Sequence, residues 1–107
     1  MWDAGLNNLY MVEGEFGVAL PITFRGITFN QYDHLALRIF IDEDSSIVEK
    51  DFSPVVNATI NLELTAAESA KLPAGGYHYE IDWYQTGAFL CNLLHDRRFF
   101  VIRKRGA

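Results

Sequence analysis

Apolar and polar residues alternate along most of this chain, with the two-residue period of half-buried strands. In "YHYEIDWY" the apolar set is Tyr77, Tyr79, Ile81 and Trp83, interleaved with His78, Glu80, Asp82 and Tyr84. "ATINLEL" sets Ile60, Leu62 and Leu64 against Thr59, Asn61 and Glu63. "HLALRIFID" points Leu35, Leu37, Ile39 and Ile41 inward and Ala36, Arg38, Phe40 and Asp42 outward. "GVALPITFRG" does the same with Val18, Leu20, Ile22 and Phe24 inward. Pro21 cannot donate to a ladder, so that strand is expected at an edge or a bend. With "SIVEKDF", "AFLCNLL" and "RRFFVIRK", the pattern predicts about seven or eight short strands, spaced as in a sandwich or barrel. "DEDSS" and Thr86-Gly87 supply turns between them.

One segment breaks the rhythm. Thr65 and Glu68 form the S/T-x-x-E capping box of a helix start. Ala66, Ala67 and Ala70 favour helix, and Pro73 with Gly75-Gly76 ends it. So short a helix is not stable alone. Residues 65–72 are therefore expected to be a crossover held by strands on both sides, carrying the chain from one sheet to the other. The first ten residues are less regular. Trp2, Leu6, Leu9 and Tyr10 suit one apolar helical stripe, packed on the domain's own core or docked on a neighbour. The expected organisation is an N-terminal arm over 1–10 and a single β-sandwich domain over 11–107.

The run "LTAAESAKLPAGGYHYEIDW", from Leu64 to Trp83, resembles the LT-x-x-[DE]-[ST]-x-x-L-x-x-G-x-Y-x-Y-[DE] stretch of immunoglobulin-like domains in phage structural proteins. Within that class the chain is similar to the N-terminal domain of phage baseplate upper proteins and related tail or prophage proteins. Asp33–Ile39, Gly87 and the apolar run Phe99–Ile102 are similar to further parts of that pattern. The resemblance spans residues 12–102, and its specific part is Leu64–Asp82. Two places depart from it: "EGEFG" stands where the family has a Gly-Asp turn, and "HDRR" stands where it has a glycine. The resemblance implies an all-β, immunoglobulin-like antiparallel β-sandwich of seven to eight strands with one short helical crossover. It also implies a non-catalytic virion protein of tail or baseplate type, assembled in the cytoplasm of a bacterial host. Such a protein acts by contact with other virion subunits, as a homo-oligomer or part of a larger assembly. The family motif contains no catalytic residue to carry over.

Composition narrows this reading. At 107 residues and 50% hydrophobic, one domain with a real core is expected, without a metal or disulfide staple. The single cysteine, Cys91, allows no internal disulfide and tilts towards a reducing compartment. "MWDAGLNNLY" lacks the basic and apolar regions of a signal peptide, and no apolar run suits a membrane helix. Net charge is −5, divided unevenly. Residues 1–96 hold 4 bases and 14 acids (−10), whereas the last eleven residues hold 5 bases and no acid. An acidic body repels phosphate, so neither nucleic acid nor membrane is an expected partner. The basic end is either a solvated strand face or a contact with an acidic patch on a neighbour.

Candidate chemistry is sparse. Cys91 and His95 could form a nucleophile pair with Asp96, but four strand residues separate the two by about 13 Å. Cys91 is expected to be a small buried thiol. Glu80 and Asp82 lie about 7 Å apart on one strand face and read as a solvated pair rather than a catalytic one. Asp42, Glu43 and Asp44 read as a turn, since their spacing is not that of a calcium loop. His34, His78 and His95 have no zinc spacing, and no cofactor is expected. The remaining feature is aromatic and arginine surface, which interface centres favour. The interface candidates are Phe40, Tyr84, Arg97, Arg98, Phe100, Arg103 and Lys104. A carbohydrate- or host-surface-binding sandwich, with Tyr77, Trp83 and Tyr84 as stacking rings, is the alternative reading.

Overall fold

The computed structural model describes residues 3–5, 8–42, 45–86, 88–93 and 98–104, with side chains described from residue 8 and, in the last segment, from residue 100. The chain is all-β in two layers. Its elements are β1 (Asp3–Gly5), β2 (Asn8–Val12), β3 (Leu20–Thr23), β4 (Asp33–Phe40), β5 (Ser46–Phe52), β6 (Thr59–Leu62), α1 (Ala66–Ala70), β7 (Gly75–Gln85), β8 (Ala88–Asn92) and β9 (Arg98–Arg103). The large sheet runs β1-β2-β9-β7-β4-β5, with β8 also paired to β7; β3 and β6 form a separate two-stranded sheet.

The longest strand, β7, is the centre of the large sheet. One edge pairs with β4 over Asp33↔Gln85 to Phe40↔His78. Its other edge is shared. Residues Gly75 to Tyr79 pair with β9, and Asp82 to Gln85 pair with β8. The expected rhythm of β7 holds: Tyr77, Tyr79 and Ile81 are buried, and Trp83 packs against the core from its margin. They meet Leu35, Leu37 and Ile39 of β4, Ile60 and Leu62 of β6, and Phe100 and Ile102 of β9 in one cluster. That cluster fills the space between the two layers, as in a sandwich. Leu20, Ile22 and Phe24 close it from the β3 side. Among the described residues β3 pairs with β6 alone, so Pro21 sits in an edge strand, where its missing N–H is tolerated.

The crossover forms as its residues predict. Thr65 Oγ1 accepts the Glu68 N–H at 3.1 Å, and Glu68 Oε1 accepts the Thr65 N–H at 2.9 Å. Lys50 of β5 donates to Glu68 Oε1 at 2.7 Å and also to the Glu63 carbonyl, so the capping carboxylate ties the crossover to the other layer. Burial pushes the Glu68 carboxyl up. The Lys50 and Thr65 hydrogen bonds outweigh it and hold the group below the ordinary carboxylate range.

Among the described residues there are nine strands, of which β1 lies within the expected arm and β2 begins there. Other expectations are corrected. Leu9 and Tyr10 are in a strand, not a helix, and the boundary expected after residue 10 falls inside β2. β2 runs parallel to β9 with Leu9↔Phe100 and Met11↔Ile102 in register, so Leu9 and Met11 enter the core. Trp2 and Leu6 lie outside the described residues. Val18 and Ile41 are exposed, since β3 starts at Leu20 and β4 has a register shift at Ile39/Phe40 and ends there.

Candidate functional site

Period two gives the large sheet a second face, directed away from the core, and the register arranges that face in rows. Across one end, His34, Tyr84 and Phe89 lie side by side on β4, β7 and β8. His34 and Tyr84 stack at 4.8 Å with 3° between their planes, and Tyr84 meets Phe89 edge-on at 5.7 Å. Phe89 is 59% exposed, so the row opens to solvent at β8. Further along the strands come Ala36 with Asp82 and Asn92, then Arg38 with Glu80 and Glu49, then Phe40 with His78.

Arg38 is the hub. Its Nη1 donates to Asp82 Oδ2 at 3.2 Å and its Nη2 to the Tyr84 hydroxyl at 2.9 Å. Glu80 and Glu49 approach the same guanidinium at 3.8 Å each. Asn92 Nδ2 donates to Glu80 Oε2 at 3.3 Å. Burial disfavours the Arg38 charge, but Tyr84 and the neighbouring carboxylates more than offset this and raise its pKa. Asp82 is only 4% exposed. The solvated acidic pair expected from sequence is thus a charge cluster closed around one arginine. Both carboxylates reach the same Nη1, so a guanidinium, not a cleft, lies between them.

The interface candidates divide. Tyr84 is half-buried within the row just described. Arg103 is exposed and lies 4.7 Å over the Tyr10 ring, and Lys104 is exposed beyond it. Phe40 lies on the outer-face parity, paired with His78 and Ser46, yet it is 5% exposed. Phe100 is fully buried in the core. "RRFFVIRK" has no alternation to fix its parity, and pairing with Leu9 and Tyr77 turns Phe100 inward. These two therefore offer no surface on the single chain. Arg97 lies outside the described residues, and of Arg98 only the backbone, in β9, is described.

The other candidates gain little. Cys91 is half-buried opposite Trp83, and His95 and Asp96 lie outside the described residues. Asp42 Oδ1 accepts the Ser45 N–H at 3.0 Å, as in a turn; Glu43 and Asp44 are not among the described residues. Among the described residues no group of three or more His, Cys, Asp or Glu could hold a metal ion. Tyr77, expected as a stacking ring for a glycan, is buried with its hydroxyl on the Pro73 carbonyl at 2.6 Å, and Trp83 leans on Phe29 at 4.9 Å. Two features went unread in the sequence: Arg38 as a hub and Phe89 as the open end of an aromatic row. The signal was present in opposite charges at facing positions, once "DHLALRIF" is set antiparallel to "YHYEIDWY" with His34 opposite Tyr84.

An open cavity of about 630 Å³ lies beside the small sheet, lined by Asp51, Ser53, Pro54, Val56, Asn57 and Asn61 among others. A second, of about 420 Å³, shares Asn61 with it and is lined by Glu63 and Thr65 among others. In comparisons with known proteins, no family model, no curated protein and no solved structure matches this chain.

Proposed function

We propose that this chain is a non-catalytic structural or assembly module of phage or prophage type, of the tail or baseplate class, working through protein–protein contacts within a virion. Its partners are other virion subunits or further copies of itself, without cofactor, nucleic acid or membrane. The observation that carries the assembly role is the outer face of the large sheet. It is broad, internally cross-braced by Arg38, and ends in an aromatic row with Phe89 exposed. A flat, pre-ordered surface of arginine, tyrosine and phenylalanine suits another protein better than a small molecule. The phage class rests on the Leu64–Asp82 resemblance, whose residues build the crossover and the central strand. The immunoglobulin-like reading is supported by strand order: β9-β7-β4 follows the G-F-C sheet of such domains, and β3-β6 follows the B–E pair.

The test is co-expression with the proteins encoded by the adjacent reading frames, followed by gel filtration with light scattering. A tail or baseplate neighbour that co-elutes with wild-type protein, and is lost with Phe89→Lys, is the expected result. A chain that stays monomeric at millimolar concentration and binds none of these neighbours overturns the proposal.

A further inference from the structure

The two open edges of the small sheet are not equivalent. β3 and β6 pair antiparallel with Leu20↔Leu62, Pro21↔Asn61 and Ile22↔Ile60 in register. The Leu64 and Ala58 carbonyls both accept N–H groups from the β3 side, from Gly17 at 3.0 Å and Phe24 at 2.8 Å. Backbone groups alternate in direction along a strand, so even-numbered residues of this stretch face β3 and odd-numbered ones face away. The odd positions agree. The Glu63 carbonyl accepts Lys50, which comes from the opposite side, and the Thr59 N–H is taken by Val56 at 3.1 Å. The N–H and C=O of Asn61 therefore point out of the β6 edge, into the groove walled by residues 51–57. By the same parity, position 21 faces the far edge of β3, and there the residue is proline, with no N–H to offer. Proline is a recognised block to edge pairing. One edge is closed by its own residue; the other keeps a donor and an acceptor beside a cavity of about 630 Å³.

We infer that the β6 edge takes an extended, basic peptide segment of a partner protein as a third strand of the small sheet. A two-stranded sheet is marginal by itself, and adding a strand gives it the minimum for independent stability. A second copy of the same edge would bring Asp51 and Glu63 against their own like charges. Charge selects the segment. Asp51 and Glu63 stand exposed along the groove, while Lys50, which also lines it, is engaged by Glu68 and the Glu63 carbonyl. This inference does not depend on the outer face or on phage origin.

The experiment is an amide NMR titration of the full chain with acetyl-Val-Lys-Val-Lys-Val-amide. The expected result is a shift at the Asn61 amide and along 51–63, with slowed hydrogen exchange at Asn61. The glutamate analogue of the peptide, and a version N-methylated at alternate residues, should each bind about tenfold more weakly or worse. Asn61→Pro copies Pro21 onto the second edge. It should leave the β3–β6 ladder intact and weaken binding about tenfold. If that variant does not fold, Asp51→Lys gives the same readout through charge. Binding that leaves the Asn61 amide unmoved overturns the site. Equal binding of the glutamate or N-methylated peptide overturns the basic-strand recognition. Self-association of the chain through the same amide, without peptide, overturns the partner and makes a second copy the occupant. Failure here leaves the outer-face reading standing, because Phe89→Lys reports on that surface alone.

Discussion

Replacing Arg38 with methionine tests whether the cluster on the outer face is a structural brace. Methionine is about as long as the aliphatic stem of arginine, so packing of the stem along β4 is kept while the guanidinium is lost. Two hydrogen bonds disappear: one to the buried Asp82 carboxylate at 3.2 Å and one to the Tyr84 hydroxyl at 2.9 Å. The charged guanidinium donates both, and a bond involving a charged group contributes about 1.5–3 kcal/mol. The 3.8 Å contacts to Glu49 and Glu80 are long, and Glu49 is 65% exposed, so each adds about 0–1 kcal/mol. Because Arg38 itself is one-third exposed, water re-solvates part of what is uncovered, and the lower halves of these ranges apply. The expected loss is about 3–4 kcal/mol. At roughly 4–8 °C per kcal/mol for a domain near 100 residues, the melting temperature falls by at least about 12 °C. Urea unfolding followed by tryptophan fluorescence, with thermal melts alongside, reads this directly. Glu49→Gln is the control, and it should change stability by no more than about 0.5 kcal/mol. An Arg38→Met loss below about 1 kcal/mol, or a Glu49→Gln loss equal to it, would refute the assignment of the energy to Asp82 and Tyr84.

Three further outcomes follow from particular contacts. Asn57 and Ala58 both have positive φ in the turn before β6, and Ala58→Gly removes a left-handed alanine (φ 53°), so stability should rise by about 0.5–1 kcal/mol in denaturant titration. Glu68 has a lowered folded-state pKa, so its contribution is present above the ordinary carboxylate pKa and drains away as pH falls through the lowered value; Glu68→Gln should flatten the acid limb of stability measured between about pH 6 and 3. Leu62 is fully buried between the sheets, and Leu62→Ala should cost about 2–5 kcal/mol, read as a lower urea midpoint.

How far the sequence could be read depended on whether a segment had one covered face or two. Ile60, Leu62, Leu64 and the Tyr77–Ile81 set were legible because one parity is apolar and the other polar, and the core takes the first. The capping box of Thr65 and Glu68 was legible because its chemistry is local. Phe40 and Asp82 were misjudged although their parity was right, because alternation says which way a side chain points and nothing of what lies over it. Phe100 failed for a different reason: four apolar residues in a row carry no parity, and only the pairing with β2 and β7 supplies it. The parallel β2–β9 pairing and the shared edge of β7 join residues far apart in the chain, and no local pattern encodes such a choice.

That parallel pairing has a mechanical consequence. Leu9 to Val12 lie beside Phe100 to Arg103 in the same direction. Tension applied to the backbone before Asn8 and after Arg103 therefore drags the two strands past each other lengthwise. The ladder bonds then stretch together, where a hairpin pulled from its open end would unzip one at a time. In a force-extension measurement the domain should resist as a unit and give way in one high-force event, and Met11→Pro, which takes a donor out of β2, should lower that force.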